Sequence, residues 1–388
     1  MTTDSHYKMQ KTWDLVVVGS GILGIFHAYH ATRLGLRTLL LEKDSRPLRA
    51  SVRNFGMIIP SGMPVGDWHR RGEESSRLYQ SLSDEIGFPI CHRATQYLAS
   101  TPEELKVIHE FAELGPDHGY HSELLDREQS LEANSAIHPD YCLGSILFHS
   151  DLRIDPRVLV NKMVNWLSRQ QTCSYSPRTM AIKARVEGTQ CRVTTADGTL
   201  HVAAQVCICN GSDLRILFPE KLAERGLVAC KLLMLRTTPQ RTHLQTSLAS
   251  GLSIRRYASF RLSPSWKTMQ ESPVSNPALT AAGIHILAVQ DQDRRIVLGD
   301  SHEYSQDDMD DHIDANLERL ILSECRRMLR LSHWEIDERW HGLYTSWTDG
   351  ELFEETIDGR IHIVTGIGGK GMTTSPALAR ERIERIFR

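Results

Sequence analysis

No C-x-x-C pair occurs among the eight cysteines, no apolar run reaches 18 residues, and neither sign of charge dominates. Each absence excludes a class. Cysteines scattered over positions 91, 142, 173, 191, 207, 209, 230 and 325 argue against a disulfide framework and for reduced thiols. Cys207 and Cys209 share one face of an apolar segment and read as core. Without a long apolar run there is no helical membrane span, and residues 1–13 are polar, lacking the apolar stretch of a secretory signal. We therefore expect a cytoplasmic protein with no membrane partner. A net charge of −3 gives no global field toward nucleic acid. No metal site is expected either.

What remains is an ordinary globular composition, 40% hydrophobic and 24% charged over 388 residues, enough for a large core and two or three domains on a prior of about 150 residues each. One stretch organises it. Trp13–Glu42 reads as strand, loop, helix, strand. Leu15–Val18 is short, apolar and β-branched, and it runs into Gly19-Ser20-Gly21-Ile22-Leu23-Gly24, a G-x-G-x-x-G sequence. Gly19 suits a tight turn, Gly21 lets backbone amides approach a pyrophosphate, and Gly24 lets the next helix pack on the strand, so that the phosphate meets a helix N-terminus. The helix closes at Gly35. A second strand, Leu36–Leu41, ends on Glu42, 18 residues after Gly24. That spacing suits the acid that holds a ribose 2′-hydroxyl. The motif points to a dinucleotide and leaves FAD and NAD both open.

Downstream, residues 43–64 carry turn formers and cations and read as a loop until Met57–Ile59, with Ser51, Arg53, Asn54, Phe55, Gly56 and Met57 as ligand-facing candidates. Helices are expected over Asp67–Ile86 and Pro102–Leu114, the second capped by Thr101. Another is expected over the amphipathic stretch that starts at Asp155 and Pro156. Short strands at Ala181–Val186, Cys191–Thr195 and His201–Ala204 form a meander that feeds a separate strand, Gln205–Cys209, ending on Asn210-Gly211. Between Leu227 and Glu338 the text turns antiparallel. There CKLLMLRT, LSIRRYASF, GIHILAVQ and RRIVLGDSHEY read as strands, with a turn at Asp291–Asp293 and a flanking helix Asp308–Leu331.

Near the end, strand Ile361–Val364 leads into Gly366-Ile367-Gly368-Gly369-Lys370-Gly371-Met372. A helix over Ala377–Phe387 is expected next, with Ser375 as cap and Pro376 at its first position. A second glycine-rich loop entering a helix offers another positive helix end, suited to the charge of a reduced flavin, and favours FAD over NAD.

Paired GSGILG and GIGGKGMTTSPALA, with DPRVL between them and WHGLYT before the last strand, resemble the D-amino-acid oxidase, glycine oxidase and sarcosine oxidase superfamily across essentially the whole chain. SVRNFGM, VCICNGSDLR, IVLGDSHEY and GGKGMTTSP are further similar to a bacterial subgroup associated with aminophosphonate breakdown. The resemblance implies an α/β fold, α+β overall. A Rossmann-type FAD domain (1–90, 141–226 and 339–388) would be joined to an antiparallel-sheet substrate domain (91–140 and 227–338). It implies non-covalent FAD, because Gly342 stands where sarcosine oxidases link the flavin to cysteine. It places Gly19, Gly21 and Gly24 at the pyrophosphate and Glu42, with Lys43, at the adenosine end. Arg53, Asn54, Gly56 and Met57 would lie along the flavin, Asn210 and Gly211 at the returning strand, and Gly369, Lys370, Gly371 and Met372 beneath the pyrimidine.

Tyr344 replaces the carboxylate-binding arginine of glycine oxidases, and Val297 stands where sarcosine oxidases carry a lysine linked to oxygen reactivity. The acceptor is therefore O2 or another oxidant. The implied reaction is oxidation of an amine C–N bond, with FAD performing the chemistry and Lys370 and Tyr344 acting beside it. The substrate would be an N-methylated 2-aminoethylphosphonate-type amine. A phosphonate calls for arginine, and on a strand only one of Arg255 and Arg256 can face the flavin, with Tyr257, His302 and Tyr304 nearby. A glycine, sarcosine or D-amino-acid oxidase and a non-catalytic flavin-binding protein are the alternatives.

Overall fold

A computed structural model describes residues 12–223, 225–307 and 309–388. Its organising strand is Thr12–Val18, and its side chains alternate between two cores. Leu15 and Val17 join a cluster with the helices, while Val16 and Val18 join one on the opposite face. A strand buried on both faces has to be apolar throughout, which is why it reads LVVV. It lies parallel to Thr38–Leu41 on one side and Leu200–Ile208 on the other, and Cys173–Ser176 extends the sheet in parallel beyond Thr38–Leu41.

The far edge of Leu200–Ile208 is shared. Its first half pairs antiparallel with Gln190–Thr195, and its second half pairs parallel with Ile361–Thr365. The two segments expected around residues 201–209 are thus one strand, since no glycine or proline interrupts Ala203-Ala204-Gln205. Helices Ile22–Arg33, Asp67–Leu82, Pro156–Ser168 and Gly371–Phe387 cover one face of this sheet.

A nine-stranded sheet lies alongside, built on the long strand Leu227–Thr237, which pairs with Ile336–Trp347, Ile296–Gly299 and Glu303–Ser305. It also recruits Thr95–Ala99 and Gly144–Phe148 from earlier in the chain. The sheet is antiparallel except where Ser247–Ala249 runs parallel to Thr95–Ala99. Alternation again divides two cores: Leu232 and Met234 on one face, Leu233 and Leu235 on the other. A small sheet of Met57–Ile58, Leu152–Ile154 and Ile90–His92 bridges the loop after the first unit to the body. Among the described residues no helix is long and apolar enough to cross a membrane.

Three further expected elements differ. The LSIRRYASF stretch is not a strand: Gly251–Arg256 is α-helical and Ala258–Leu262 forms a 3-10 turn. Six residues are too few for periodicity to separate the two, and Leu and Arg favour helix once Ser250 starts it. The helix expected over Asp308–Leu331 spans Ala315–Met328, because Asp314 caps it by accepting from Asn316 N; Asp308 itself lies outside the described residues.

The final helix begins at Gly371, so Ser375 is not its cap and Pro376 lies inside it. Proline at that point leaves the carbonyl of Met372, four residues back, without an amide donor. The Tyr79 phenol, itself fully buried, donates to Met372 O at 2.9 Å instead. Tyr79→Phe should therefore cost about 1–2 kcal/mol in chemical denaturation, the worth of a buried hydrogen bond. Adding Pro376→Ala should recover part of that loss by restoring an N–H. Additive effects of the two substitutions would show that the phenol does not stand in for the amide.

Candidate active site

The glycine loop is shaped by close approach. Gly19 has φ +96°, a conformation that disfavours any side chain, and a Cβ on Gly24 would collide with Gly19 O. Helix Ile22–Arg33 follows directly, with Gly21 in the cap position and no side-chain cap of its own. Ser51 reaches across from the next loop, its Oγ accepting from Ile22 N at 2.8 Å. Ser20 is fully buried, donating through its N and Oγ to Glu42 Oε2 at 3.0 and 2.6 Å, while Glu42 Oε1 accepts from Asp44 N at 3.0 Å. Glu42 is therefore oriented at the strand end by protein donors.

A cavity of about 540 Å³ opens over this loop, and Gly19, Gly21, Ile22, Leu23, Glu42 and Lys43 line it. Ser51, Asn54, Phe55 and Met57 line it from the second loop, Asn210 and Gly211 from the returning strand, and Gly366, Gly368, Gly369, Lys370, Gly371 and Met372 from the last loop. The final helix, like the first, lacks a side-chain cap. Two helix N-termini on one cavity, neither capped by its own N-cap side chain, suit a ligand that carries negative charge in two places. Lys370 Nζ is 2.8 Å from Glu351 Oε2 and 5.5 Å from the centroid of the Trp68 ring, so it stands in a local ion pair. Lys43 pairs with Asp213, and the Asn210 amide donates to Asp213 O.

Five expected residues stand behind the lining. Ser20 and Gly24 shape the loop from beneath. Gly56 is required by packing, since a Cβ there would strike Ile154 O, and Asn54 holds that turn by accepting from Gly56 N at 2.7 Å. Arg53 is exposed and donates to His341 O at 3.4 Å. Arg255 is buried on another side of its helix, bonded to Glu104 Oε1 at 3.1 Å and Ser272 Oγ at 3.0 Å. On a helix successive residues turn by about 100°, and Arg256 is the one that reaches the cavity, where its Nη2 meets Tyr304 Oη at 3.2 Å.

Tyr304 and Tyr344 come from two strands that flank Leu227–Thr237, and both pair with Cys230. Directly paired residues share a face, so the two phenols stand on one face on either side of Cys230. Burial raises the Tyr344 hydroxyl well above its ordinary range and keeps it a neutral donor. Tyr257 and His302 also line this region, as expected.

Sequence reasoning missed His285 and Asp300, which line the cavity beside them. These two exchange both backbone bonds, His285 N to Asp300 O at 3.2 Å and Asp300 N to His285 O at 3.0 Å. Counting outward from the turn at 291–293, the ladder pairs Leu287 with Gly299, which would place Asp300 opposite Ile286. A one-residue slip sets it opposite His285 instead, so only the turn was visible in the sequence. Burial would raise the Asp300 carboxyl, but His302, His285 and Arg256 hold it below the usual range, as a carboxylate.

The sequence model of the DAO family, described as FAD dependent oxidoreductase, matches residues 14–385. The chain is 28% identical to a probable sarcosine oxidase of Arabidopsis thaliana over 122 residues, 31% of this chain and 29% of that protein. It is 33% identical to the peroxisomal sarcosine oxidase of Mus musculus over 113 residues, 28% of this chain and 29% of that protein. These matches thus span well under half of the relatives' length. The fold extends further. Glycine oxidase from Geobacillus kaustophilus superposes with a TM-score of 0.75 at 17% identity, covering 96% of this chain and 95% of that one. An L-α-glycerophosphate oxidase from Mycoplasma pneumoniae with FAD bound superposes at 0.78 and 17%, covering 97% and 95%.

Gly21 has an ordinary φ of −69°, and a Cβ there would meet only Ser51 Oγ, at 3.2 Å, so the backbone tolerates a side chain. Gly21→Val should therefore leave the fold intact by circular dichroism while abolishing the dinucleotide absorbance of the purified protein. Full retention of bound cofactor would refute the assignment of this loop.

Proposed function

Because the chain belongs to the DAO family of FAD-dependent oxidoreductases, we propose that it oxidises the C–N bond of a small amine bearing an anionic group. The substrate would be of the (N-methyl-)2-aminoethylphosphonate type, and the imine formed would hydrolyse to phosphonoacetaldehyde. The observation that carries this reading is Arg256, the arginine that the short helix directs into the cavity beside two phenols. A guanidinium with flanking hydroxyl donors suits a multiply charged tetrahedral anion better than a lysine would.

The residues present fit FAD. Gly19, Gly21 and the uncapped start of the first helix would hold the pyrophosphate, and Glu42 the adenosine ribose. Gly369, Lys370, Gly371 and Met372 would lie at the flavin's pyrimidine end, where the uncapped final helix supplies positive potential. FAD, when bound, accepts the hydride from the amine's α-carbon. The protein's own part is to bind the anion, orient the amine and exclude water. The nine-stranded sheet would form the substrate domain and the eight-stranded sheet the FAD domain; Gly144–Phe148 and Ile336–Trp347 are strands of the nine-stranded sheet, so the boundaries expected at 141 and 339 do not follow the sheets.

We take the cofactor to be non-covalent. Gly342 pairs with Leu232, a lining residue, and brings no thiol there, and Cys209, which does line the cavity, sits beneath the first helix with its thiol pushed well up by burial. Acid precipitation should release all yellow colour into the supernatant; colour in the pellet would overturn this.

Anaerobic titration tests the function. Aminophosphonates should bleach the bound flavin, and Arg256→Met should raise their KM by roughly 10–100-fold, equivalent to about 1.5–3 kcal/mol of charged hydrogen bonding. An uncharged amine should be affected far less. Preference for glycine or sarcosine would favour a carboxylate substrate, and failure of every amine to bleach the flavin would favour a binding protein.

A further inference from the structure

Beyond the anion seat, the cavity carries two histidines and a carboxylate that anion binding and FAD retention leave without a role. His302 is the informative one. Its Nδ1 lies 3.0 Å from the carbonyl of Gly283, and because a carbonyl can only accept, the proton resides on Nδ1. Nε2, on the other edge of the ring, therefore carries the lone pair, and it has no hydrogen-bond partner among the described residues although His302 lines the cavity. Asp300 Oδ1 stands behind the same ring, 3.9 Å from Nδ1. His285 Nε2 approaches that same oxygen at 3.2 Å, and Ser253 Oγ is 3.0 Å from His285 Nδ1. The two imidazoles lie nearly parallel with centroids 5.3 Å apart, and Tyr304 stacks on the far side of His302 at 6.3 Å.

An unengaged lone pair on a ring that lines the cavity, with a backbone carbonyl and a carboxylate at the opposite nitrogen, is the arrangement a general base requires. We propose that His302 Nε2 takes the proton from the substrate's ammonium group, with Asp300 as the positioning residue behind it. This rests on the amine-oxidising reading of the cavity. An amine of this class binds protonated at neutral pH, and an ammonium nitrogen has no free electron pair to expel hydride from the neighbouring carbon. In the proposed step the N–H bond breaks, its electrons stay on nitrogen, and the proton forms a bond to Nε2. The nitrogen pair would thereby be free to form the second C–N bond, and the hydride it displaces is what bound FAD would accept.

The groups facing His302 fit this order of events. Burial, then the charges of Arg256 and His285, hold it neutral in the free protein, down to about 3, against the pull of Asp300 and the Gly283 carbonyl. A phosphonate seated on Arg256 cancels the nearest positive charge and so raises the proton affinity of Nε2. The anionic end of the substrate would thus prepare the base for its amine end.

The test is the limiting rate of flavin reduction by N-methyl-2-aminoethylphosphonate, measured anaerobically by stopped flow from pH 6 to 10. In the wild type proton transfer is internal to the complex, and the rate should be nearly flat. His302→Asn keeps a donor for the Gly283 carbonyl and removes the lone pair. Its rate at pH 7 should fall by roughly 10²–10⁴-fold, the usual worth of a general base, and should climb about tenfold per pH unit as solvent deprotonates the amine. Asp300→Asn should give a smaller loss with a flat profile. Flavin content of each variant verifies folding, and His302→Gln serves as the second variant if His302→Asn does not retain FAD. A wild-type rate and flat profile in the variant, or a loss equal at every pH, would overturn the base assignment alone. A wild-type flavin that no amine reduces would overturn the functional reading together with it.

Discussion

Everything in this molecule depends on how closely strand Thr12–Val18 can be approached by the helix that follows it. Gly24 allows the first turn of that helix to rest on the backbone of Gly19, and Gly19 in turn faces the Cys209 carbonyl at the end of the neighbouring strand. Any side chain at either glycine would push the helix off the sheet. With the contact in place the helix N-terminus is fixed over the strand ends, and Ser20 is set where both its donors meet Glu42. The cavity, the second loop and the position of the final helix are all referred to that geometry.

The two sheets divide the chemistry. The eight-stranded sheet contributes backbone: glycine loops and helix ends, whose partial charges are fixed and need no reorganisation. The larger sheet contributes side chains, with Arg256, Asp300, His302 and the two tyrosines arranged around Cys230 and the slipped hairpin. Arg256 and Asp300 leave this wall with both a positive and a negative group. Burying opposite charges within reach of one another limits the desolvation cost of each.

Much of this was legible in the sequence, for physical reasons. The first βαβ unit is strongly patterned, with apolar strands and with Gly19 and Gly24 at positions where a side chain would strike backbone. The helix over Pro102–Leu114 was visible from its cap and first-turn proline, and Thr101 Oγ1 does accept from Glu104 N at 3.2 Å. Short elements were not legible. Gly251–Arg256 is one and a half turns long, and its alternating text fitted a strand equally well. The start of the last helix was misplaced because Ser375-Pro376 is a good opening signal locally, and only a tyrosine 297 residues away makes the proline tolerable inside. The Asp300–His285 pairing depends on a register slip that no composition announces.

The strand Ile361–Thr365 enters the parallel sheet beside Leu200–Ile208, and the loop after it completes the cavity begun at Gly19. The wall is thus assembled from residues separated by some 350 positions of chain. The first βαβ unit by itself supplies only one side of that cavity, and the last loop supplies another. Without the segment from residue 361 on, the dinucleotide motif would be intact while the cavity over it stood open on one side.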